Sequence, residues 1–304
     1  MRKIGICYHP KLRQALDVAE RLRDAIRPQV EEVWIASAWD DQATRRHTQD
    51  TDLLISIGGD GTVLRAARAV VPHDVLLLGV NMGRLGFLTE IDQSEALERL
   101  PEILGGRARV EERAIIHADL VLPEGASPPP AGTHFHALND VVVGRASLGR
   151  TVQASVFVDD SRVADYRADG VIAATATGST AFALSAGGPV LHPEAREMVV
   201  IPVAPHLVPR NALVLPPTAT IDLWLAPRQE AVLSVDGESD IPLSGVKAVR
   251  VTASDHLARF LRLSHTLDFY TKVAHQLNWL REAERDEYPG PGEGLALEEE
   301  SPTG

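Results

Sequence analysis

The sequence of 304 residues has little cysteine and no long apolar run. Its single cysteine, Cys7, excludes a disulfide within the chain and zinc clusters built on cysteine. No stretch approaches the roughly 18 consecutive apolar residues of a membrane-spanning helix, and the first residues lack the apolar segment of an export signal. We therefore expect a cytoplasmic protein without a membrane partner.

Positive charge is also scarce. The chain has 30 Lys and Arg against 42 Asp and Glu, a net charge of -12 at pH 7. Lysine occurs only at Lys3, Lys11, Lys247 and Lys272. Such a chain repels phosphate backbones, so nucleic acid is not expected as a partner. An anionic ligand would need a local site of amide groups or positive charge.

The first part of the chain alternates short apolar runs with helical patterns. Strands are predicted at 3–8, 32–36, 52–58 and 75–80, and helices at 11–26 and 62–70. Alternation of this kind predicts a parallel sheet covered on both faces. We therefore predict an α/β N-terminal domain, Rossmann-like, over residues 1–106.

The pattern of apolar and polar residues changes after residue 106. Residues 107–265 alternate apolar and polar positions between turn signals, which predicts an all-β C-terminal domain. Residues 123–134, with many Pro, Gly and Ser, are predicted to be a solvated loop. A C-terminal helix is predicted at 266–284 and expected to return to the N-terminal domain, and the tail 285–304 is expected to be disordered.

Residues 58–62, Gly-Gly-Asp-Gly-Thr, join a predicted strand to a predicted helix. Glycines at such a junction let backbone amides approach phosphate oxygens. Asp60 among them is unusual, because an anion beside phosphate is repulsive unless it holds a metal or accepts a proton. The alternative is that Asp60 caps the helix, and the residues alone leave both readings open.

Other phosphate-binding motifs are absent. No Gly-Lys pair occurs, which excludes a Walker A loop, and the segment beginning at Gly58 lacks the closing glycine of the dinucleotide fingerprint. A second unusual stretch, 167–190, runs from a predicted strand into hydroxyl and glycine residues, a suitable cradle for a sugar or phosphate. Thr177 or Ser179 as a helix cap is the simpler reading, and both readings can hold together.

Seven segments occur in an order that resembles the NAD kinase family, and the similarity spans about residues 1–282. They are GGDGT (58–62), GVNMGRLGFLTE (79–90), LNDVVV (138–143), RADG (167–170), TATGSTAFALSAGGP (175–189), VAPHLVPRNALVLP (203–216) and VDGE (235–238). The resemblance implies transfer of a phosphate from ATP or polyphosphate to the 2′-hydroxyl of the adenosine ribose of NAD, giving NADP. It also implies a two-domain fold with NAD bound between the domains.

The resemblance also assigns roles to residues. Asp60 matches the family's general base, and Gly59, Gly61 and Thr62 match its phosphate loop. Asn139 and Asp140 match an Asn-Glu pair that holds adenine and ribose hydroxyls, and the shorter Asp140 is a departure.

Further matched positions surround the dinucleotide. Asp169 matches an acid that contacts NAD of a neighbouring subunit, and Phe87 an aromatic near NAD, although a core role for Phe87 is equally open. The remaining nucleotide-binding positions implied by the resemblance are Thr177, Thr180, Ala181, Phe182 and Ser185. Ala176 replaces the family's usual proline and Phe182 its tyrosine, so Phe182 can stack but cannot donate a phenolic hydrogen bond.

Phosphoryl transfer requires neutralisation of charge, so Mg²⁺ or another divalent cation is the expected cofactor. We expect the nucleotide to carry it, with no metal ligand assigned in the chain. His134 and His136 lack visible further ligands and are expected in a solvated loop. The family resemblance implies a homodimer or homotetramer. Two rival functions are less well supported. A lipid kinase also has the glycine-aspartate loop, but the sequence shows no basic amphipathic surface helix. A silent dinucleotide-binding regulator would be expected to have lost Asp60, which is present.

Overall fold

The computed structural model describes residues 1–83, 86–106, 108–208, 210–263, 268–277 and 279. Residues 1–263 form one compact unit and residues 264–304 a second. The helices are α1 (Arg13–Ile26), α2 (Asp41–Thr48), α3 (Asp60–Val70), α4 (Leu100–Leu104), α5 (Phe182–Ser185) and α6 (Asp268–Gln276). None of these helices is both long and apolar enough to cross a membrane.

The N-terminal strands are parallel and lie in the order β4-β3-β1-β2. Their bounds are β1 (Lys3–Tyr8), β2 (Glu32–Ser37), β3 (Leu53–Gly58), β4 (Leu76–Asn81) and a short β5 (Ile91–Asp92) beside β4. Every residue of β3 is buried, as expected for a parallel strand whose two faces are both covered. The predicted α/β fold of this part is confirmed.

Helix α2 has no counterpart among the predicted elements. It is polar, and it begins where the Asp40 side chain accepts a hydrogen bond of 2.9 Å from the backbone N–H of Ala43. An N-cap of this kind stabilises a helix whose apolar pattern is weak. Asp40 is therefore a sequence signal for the start of α2 that the apolar periodicity did not provide.

The second half of the chain is built of strands, as predicted. They are β6 (Arg109–Val121), β7 (His134–Ala137), β8 (Asp140–Arg145), β9 (Val152–Val158), β10 (Ser161–Ala168), β11 (Gly170–Ala174), β12 (Met198–Val203), β13 (Leu213–Leu215), β14 (Ile221–Leu225), β15 (Ala231–Val235), β16 (Glu238–Pro242) and β17 (Ala248–Arg262). Six of these form an antiparallel sheet in the order β13-β12-β11-β8-β15-β16. A large apolar core packs between this sheet and strands β6, β9, β14 and β17.

Strand β17 joins the two halves of the first unit. It pairs with β6 antiparallel along most of its length, and its end pairs with β4 in parallel through Arg259 and Phe260. The result is one 11-stranded sheet that contains both the parallel strands and strands of the β-rich half. Because a parallel partner can lie far away in sequence, periodicity did not indicate this junction.

Two expectations about the later chain have different outcomes. The expectation that His134 and His136 lie in a solvated loop is wrong, because both belong to β7, which pairs with β6. Helix α6 lies inside the predicted helix at 266–284. Residues 264–267, 278 and 280–304 lie outside the described part, and so does the predicted tail; the return of the helix to the N-terminal domain stays a prediction.

Candidate active site

Asp60 lies at the carboxyl end of β3 and is the first residue of α3. The N-cap of α3 is Gly59, and both Asp60 oxygens accept hydrogen bonds from another loop. The Phe87 N–H donates to Oδ2 at 2.9 Å and the Leu88 N–H to Oδ1 at 3.0 Å. The carboxylate is therefore held by two amides outside its own helix, and the reading of Asp60 as the helix cap is wrong.

The glycines around Asp60 have different surroundings. A Cβ on Gly86 would lie 2.1 Å from Asp60 Oδ1, so only glycine allows this close approach. Positions Gly59 and Gly61 face open space, with nothing within 4 Å of a Cβ built there. Thr62 is buried, and its hydroxyl has no hydrogen-bond partner among the described residues. Phe87 is half-buried, with its backbone rather than its ring bonded to Asp60.

The segment Leu138 to Asp140 is fixed by a buried carboxylate that sequence reasoning did not assign. Asp236 Oδ2 accepts from the Leu138 N–H at 3.1 Å, and Oδ1 accepts from Asn139 at 2.7 Å and from Asp140 at 3.2 Å. Asp236 and Gly237 form the turn between β15 and β16, both with positive φ, as Asp-Gly hairpin turns require. The Asp-Gly pair in the sequence indicated the turn, but nothing in the sequence indicated that the Asp236 side chain also anchors residues 138–140.

Asp140 is buried beside this anchor. Loss of solvent, and then the neighbouring Asp236 carboxylate, raise the pKa of Asp140 to about 7. Burial also raises the pKa of Asp236, against the amides of Asn139 and Leu138 that lower it. Asn139 itself is half-buried. The Asp140 carboxyl is therefore protonated far more readily near neutral pH than an exposed aspartate, and its protonated form could donate a hydrogen bond.

The segment after β11 packs directly on this loop. Thr175 donates its N–H to the Asn139 carbonyl at 2.9 Å and its hydroxyl to the Leu138 carbonyl at 2.5 Å. A Cβ on Gly178 would lie 2.0 Å from the Asn139 carbonyl oxygen. The hydroxyl of Ser179 is buried and bonded within the protein. The two predicted nucleotide-binding segments, 138–140 and 175–180, are therefore neighbours.

A buried charge cluster of β6 and β17, joined by Glu90, contacts the second of these segments at Thr177. Arg113 bonds Glu111 at 2.8 Å, and Arg262 bonds Glu111 at 3.0 Å and Glu90 at 3.1 Å. The Phe260 ring lies against both guanidinium groups, 5.3 Å from Arg113 and 5.1 Å from Arg262. Burial by itself would raise the pKa of Glu111, but the two arginines lower it to about 2. Glu111 is therefore ionised at neutral pH.

Arg113 connects this cluster to two predicted site residues. Its Nη1 donates to the Thr177 hydroxyl at 3.4 Å. Burial and the charge of Arg262 lower the pKa of Arg113 to about 10, while the charges of Glu111 and Asp60 act in the opposite direction. Asp60 is thus within electrostatic reach of a buried guanidinium. The sequence signal was a run of three charged residues, 111–113, at the start of a strand that is otherwise mostly apolar.

Other predicted residues line a cleft of about 280 Å³. Asp169 lies there with Arg145, whose Nε is 3.4 Å from Asp169 Oδ1, and with the exposed ring of Phe182. Thr180 donates its hydroxyl to the Thr177 carbonyl at 3.0 Å. Ala181 is half-buried and Ser185 exposed. Roles in binding for these residues stay predictions.

Comparison with known proteins identifies the family. Residues 4–108 match the family model described as ATP-NAD kinase N-terminal domain, and residues 138–263 match ATP-NAD kinase C-terminal domain. An NAD kinase of Dehalococcoides mccartyi is 35% identical over 285 residues, which cover 94% of this chain and 99% of that protein. An NAD kinase of Chloroflexus aggregans is 41% identical over 228 residues, 75% of this chain and 81% of that protein.

Two solved structures share the fold. Yeast NADH kinase, solved with NADH, aligns with a TM-score of 0.78 at 21% identity over 93% of this chain and 89% of that one. An NAD kinase from Archaeoglobus fulgidus, solved with ATP, aligns with a TM-score of 0.71 at 23% identity over 92% of this chain and 100% of that one. The predicted fold class is thereby confirmed, and with both family models matched the chain belongs to the NAD kinase family.

Proposed function

We propose that this chain phosphorylates NAD at the 2′-hydroxyl of the adenosine ribose, with ATP as phosphate donor and Asp60 as general base. The observation that carries the proposal is the Asp60 carboxylate, held by two amides at the carboxyl end of β3 beside glycines that face open space. Ligands of open α/β sheets bind at this edge. Membership of the NAD kinase family gives the acceptor and the product.

Asp60 would take the proton of the 2′-hydroxyl while the hydroxyl oxygen bonds the terminal phosphorus of ATP. The bond between that phosphorus and the oxygen of ADP breaks, and ADP leaves with its electron pair. The Phe87 and Leu88 amides orient the carboxylate, and each Asp60 oxygen retains a lone pair for the incoming proton. Free amides of the glycine loop would face the phosphates.

NAD would be held by the two adjacent segments, 138–140 and 175–180. Asn139 and Asp140 would bond adenine and ribose hydroxyls, and the hydroxyls of Thr177 and Thr180 lie on the neighbouring segment. Because Asp236 fixes three successive amides of the first segment, the position of Asn139 does not depend on the ligand. Prepared binding groups lower the ordering cost of binding.

The cofactor would be Mg²⁺ or a similar divalent cation, which neutralises phosphate charge when it is bound with the nucleotide. Both Asp60 oxygens accept hydrogen bonds from loop amides, and Gly59 and Gly61 leave open space beside the carboxylate. This arrangement suits an ion carried by the phosphates better than one enclosed by protein ligands. Polyphosphate is the alternative donor, since the loop would contact phosphates and not a base.

The proposed working form is a homo-oligomer in the cytoplasm. Asp169 would contact NAD bound to a neighbouring subunit, which makes a homodimer or homotetramer the working form. The exposed ring of Phe182 in the cleft beside Asp169 gives that contact an apolar surface. The cytoplasm is the proposed location, because a chain with a single cysteine cannot form the internal disulfides typical of oxidising compartments.

The test is formation of NADP by the purified chain with NAD, Mg²⁺ and either ATP or polyphosphate. Asp60→Asn is expected to lower kcat by about 10²- to 10⁴-fold, the usual contribution of a general base. The asparagine NH₂ group would face one of the two loop N–H groups that now donate to Asp60, and two donors cannot bond each other. We therefore also expect the unfolding free energy to fall by about 1–3 kcal/mol.

Direct measurement of NAD binding separates the two effects of this substitution. Retained NAD affinity with lost turnover supports the base, whereas an unchanged kcat would remove Asp60 from the chemistry. NAD binding by the wild-type chain without NADP from either donor would favour the silent regulator.

A further inference from the structure

The outer face of β6 and β7 collects side chains that commonly bind metal ions. His117 and Asp119 are two residues apart on β6 and point to the same face. The antiparallel register places His136 opposite His117 and His134 opposite Asp119. The four side chains therefore form a square across two paired strands, and none of them belongs to the proposed kinase site.

Three of these residues bring their ligand atoms together. One nitrogen each from His117 and His134 and one Asp119 oxygen lie within 4.8 Å of one another. Asp119 Oδ1 is 2.5 Å from His134 Nδ1 and 3.2 Å from His117 Nε2. Ligands bound tetrahedrally at about 2.0–2.2 Å from one ion lie roughly 3.3–3.6 Å apart. The His117–Asp119 separation is close to this spacing, whereas the His134 ring would have to move away from Asp119 to admit an ion.

A nitrogen of the cluster lacks a satisfying partner. The Nε2 atom of His117 is shielded from solvent, and among the described residues no group forms a well-aligned hydrogen bond to it, although the Asp119 oxygen is close. The Nδ1 atom of the adjacent His136 is also shielded from solvent and has no hydrogen-bond partner among the described residues. Buried polar atoms normally have a partner, so the unpaired nitrogen of His117 is consistent with a bound ion at this face.

The imidazole rings of the cluster lie close together. The ring centres of His117 and His136 are 4.8 Å apart, and those of His117 and His134 are 5.9 Å apart. The register of β6 and β7 therefore brings three imidazole groups and one carboxylate together on one face of the two strands.

We propose that His117, Asp119 and His134 form a binding site for one divalent transition-metal ion of the Zn²⁺ class. Two imidazole nitrogens and one carboxylate oxygen suit Zn²⁺, whereas Mg²⁺ prefers oxygen ligands alone. With three protein ligands, water fills the fourth position. The ion joins β6 to β7 at the end of the loop of residues 123–133, and so stabilises that hairpin. This inference does not depend on the proposed kinase reaction.

The test is titration of the full chain, freed of any histidine tag, with Zn²⁺ in excess Mg²⁺, followed by isothermal calorimetry. One Zn²⁺ per chain is expected. His134→Ala should weaken binding at least about tenfold, as loss of a ligand does. The His134 side chain is 73% exposed, so this variant keeps the fold. His117→Gln removes the shielded ligand, and exposed His206→Ala is the matched control.

Thermal unfolding with and without Zn²⁺ gives an independent measure. The wild-type chain and His206→Ala should be stabilised by the ion, and His134→Ala and His117→Gln should not. Absence of Zn²⁺ binding by the wild-type chain would overturn the site, leaving a hydrogen bond between His134 and Asp119 as the reason for the cluster. Binding that both ligand variants retain unchanged would place the ion elsewhere and would overturn it equally.

Discussion

Replacing Asp140 by asparagine should stabilise the fold at neutral pH and weaken NAD binding at the same time. Burial and the Asp236 carboxylate raise the pKa of Asp140 from an ordinary value of 3.8 to about 7. Between these values the folded chain binds a proton at Asp140 more tightly than the unfolded chain does. Stability from this group is therefore complete below about pH 4 and is lost as the pH rises toward 7.

The magnitude follows from the same pKa change. A difference of about three pKa units at about 1.4 kcal/mol each corresponds to roughly 4 kcal/mol of unfolding free energy lost above pH 7. Asparagine has nearly the same shape and carries no charge, so Asp140→Asn avoids this loss. We expect the variant to match the wild-type chain near pH 4 and to exceed it by a few kcal/mol at pH 8.

The assay is urea unfolding of both proteins at several pH values between 4 and 8. Asp17→Asn, the same change at an exposed position of α1, is the control and should leave the pH dependence unchanged. The KM for NAD should rise about tenfold in Asp140→Asn if the carboxylate bonds the ribose. Parallel stability curves for wild type and Asp140→Asn would refute the reasoning, because they would mean that burial of this carboxyl has no cost.

Three further predictions concern the supports of the site. Gly86→Ala should lower kcat severely, because the added Cβ would displace the Asp60 carboxylate. Gly83→Ala is the control and should keep kcat, because a Cβ at position 83 meets open space. Equal kcat values for the two variants would contradict the role of Gly86. Arg113→Met should lower the unfolding free energy by about 3 kcal/mol in chemical denaturation, because it breaks a buried ion pair with Glu111. A decrease below about 1 kcal/mol would mean that Arg262 alone can neutralise the Glu111 carboxylate. Asp236→Ala should raise the KM for NAD more than it lowers kcat, because three amides lose their acceptor; a change confined to kcat would contradict its role as an anchor.

The local elements and the family followed from the sequence alone. Strands β1 to β4 are short apolar runs between helical patterns, and such runs form buried parallel strands whatever their partners are. The order of short motifs identified the NAD kinase family before any contact was known. The glycine-aspartate loop was also evident as a candidate phosphate site, although the residues alone left Asp60 open between a reacting group and a helix cap. These features depend on neighbours in sequence.

Only the tertiary structure decided the contacts between distant segments. Asp236 bonds a loop almost 100 residues away, and the Asp60 carboxylate bonds a loop after β4. Arg113 and Arg262 share Glu111 because β6 and β17 pair, and His117 meets His134 because β6 and β7 pair. No periodicity records which strands become neighbours, since burial of the whole core selects the pairing. The motif therefore specified the candidate reacting group, Asp60, and the fold specified which groups hold its carboxylate in place.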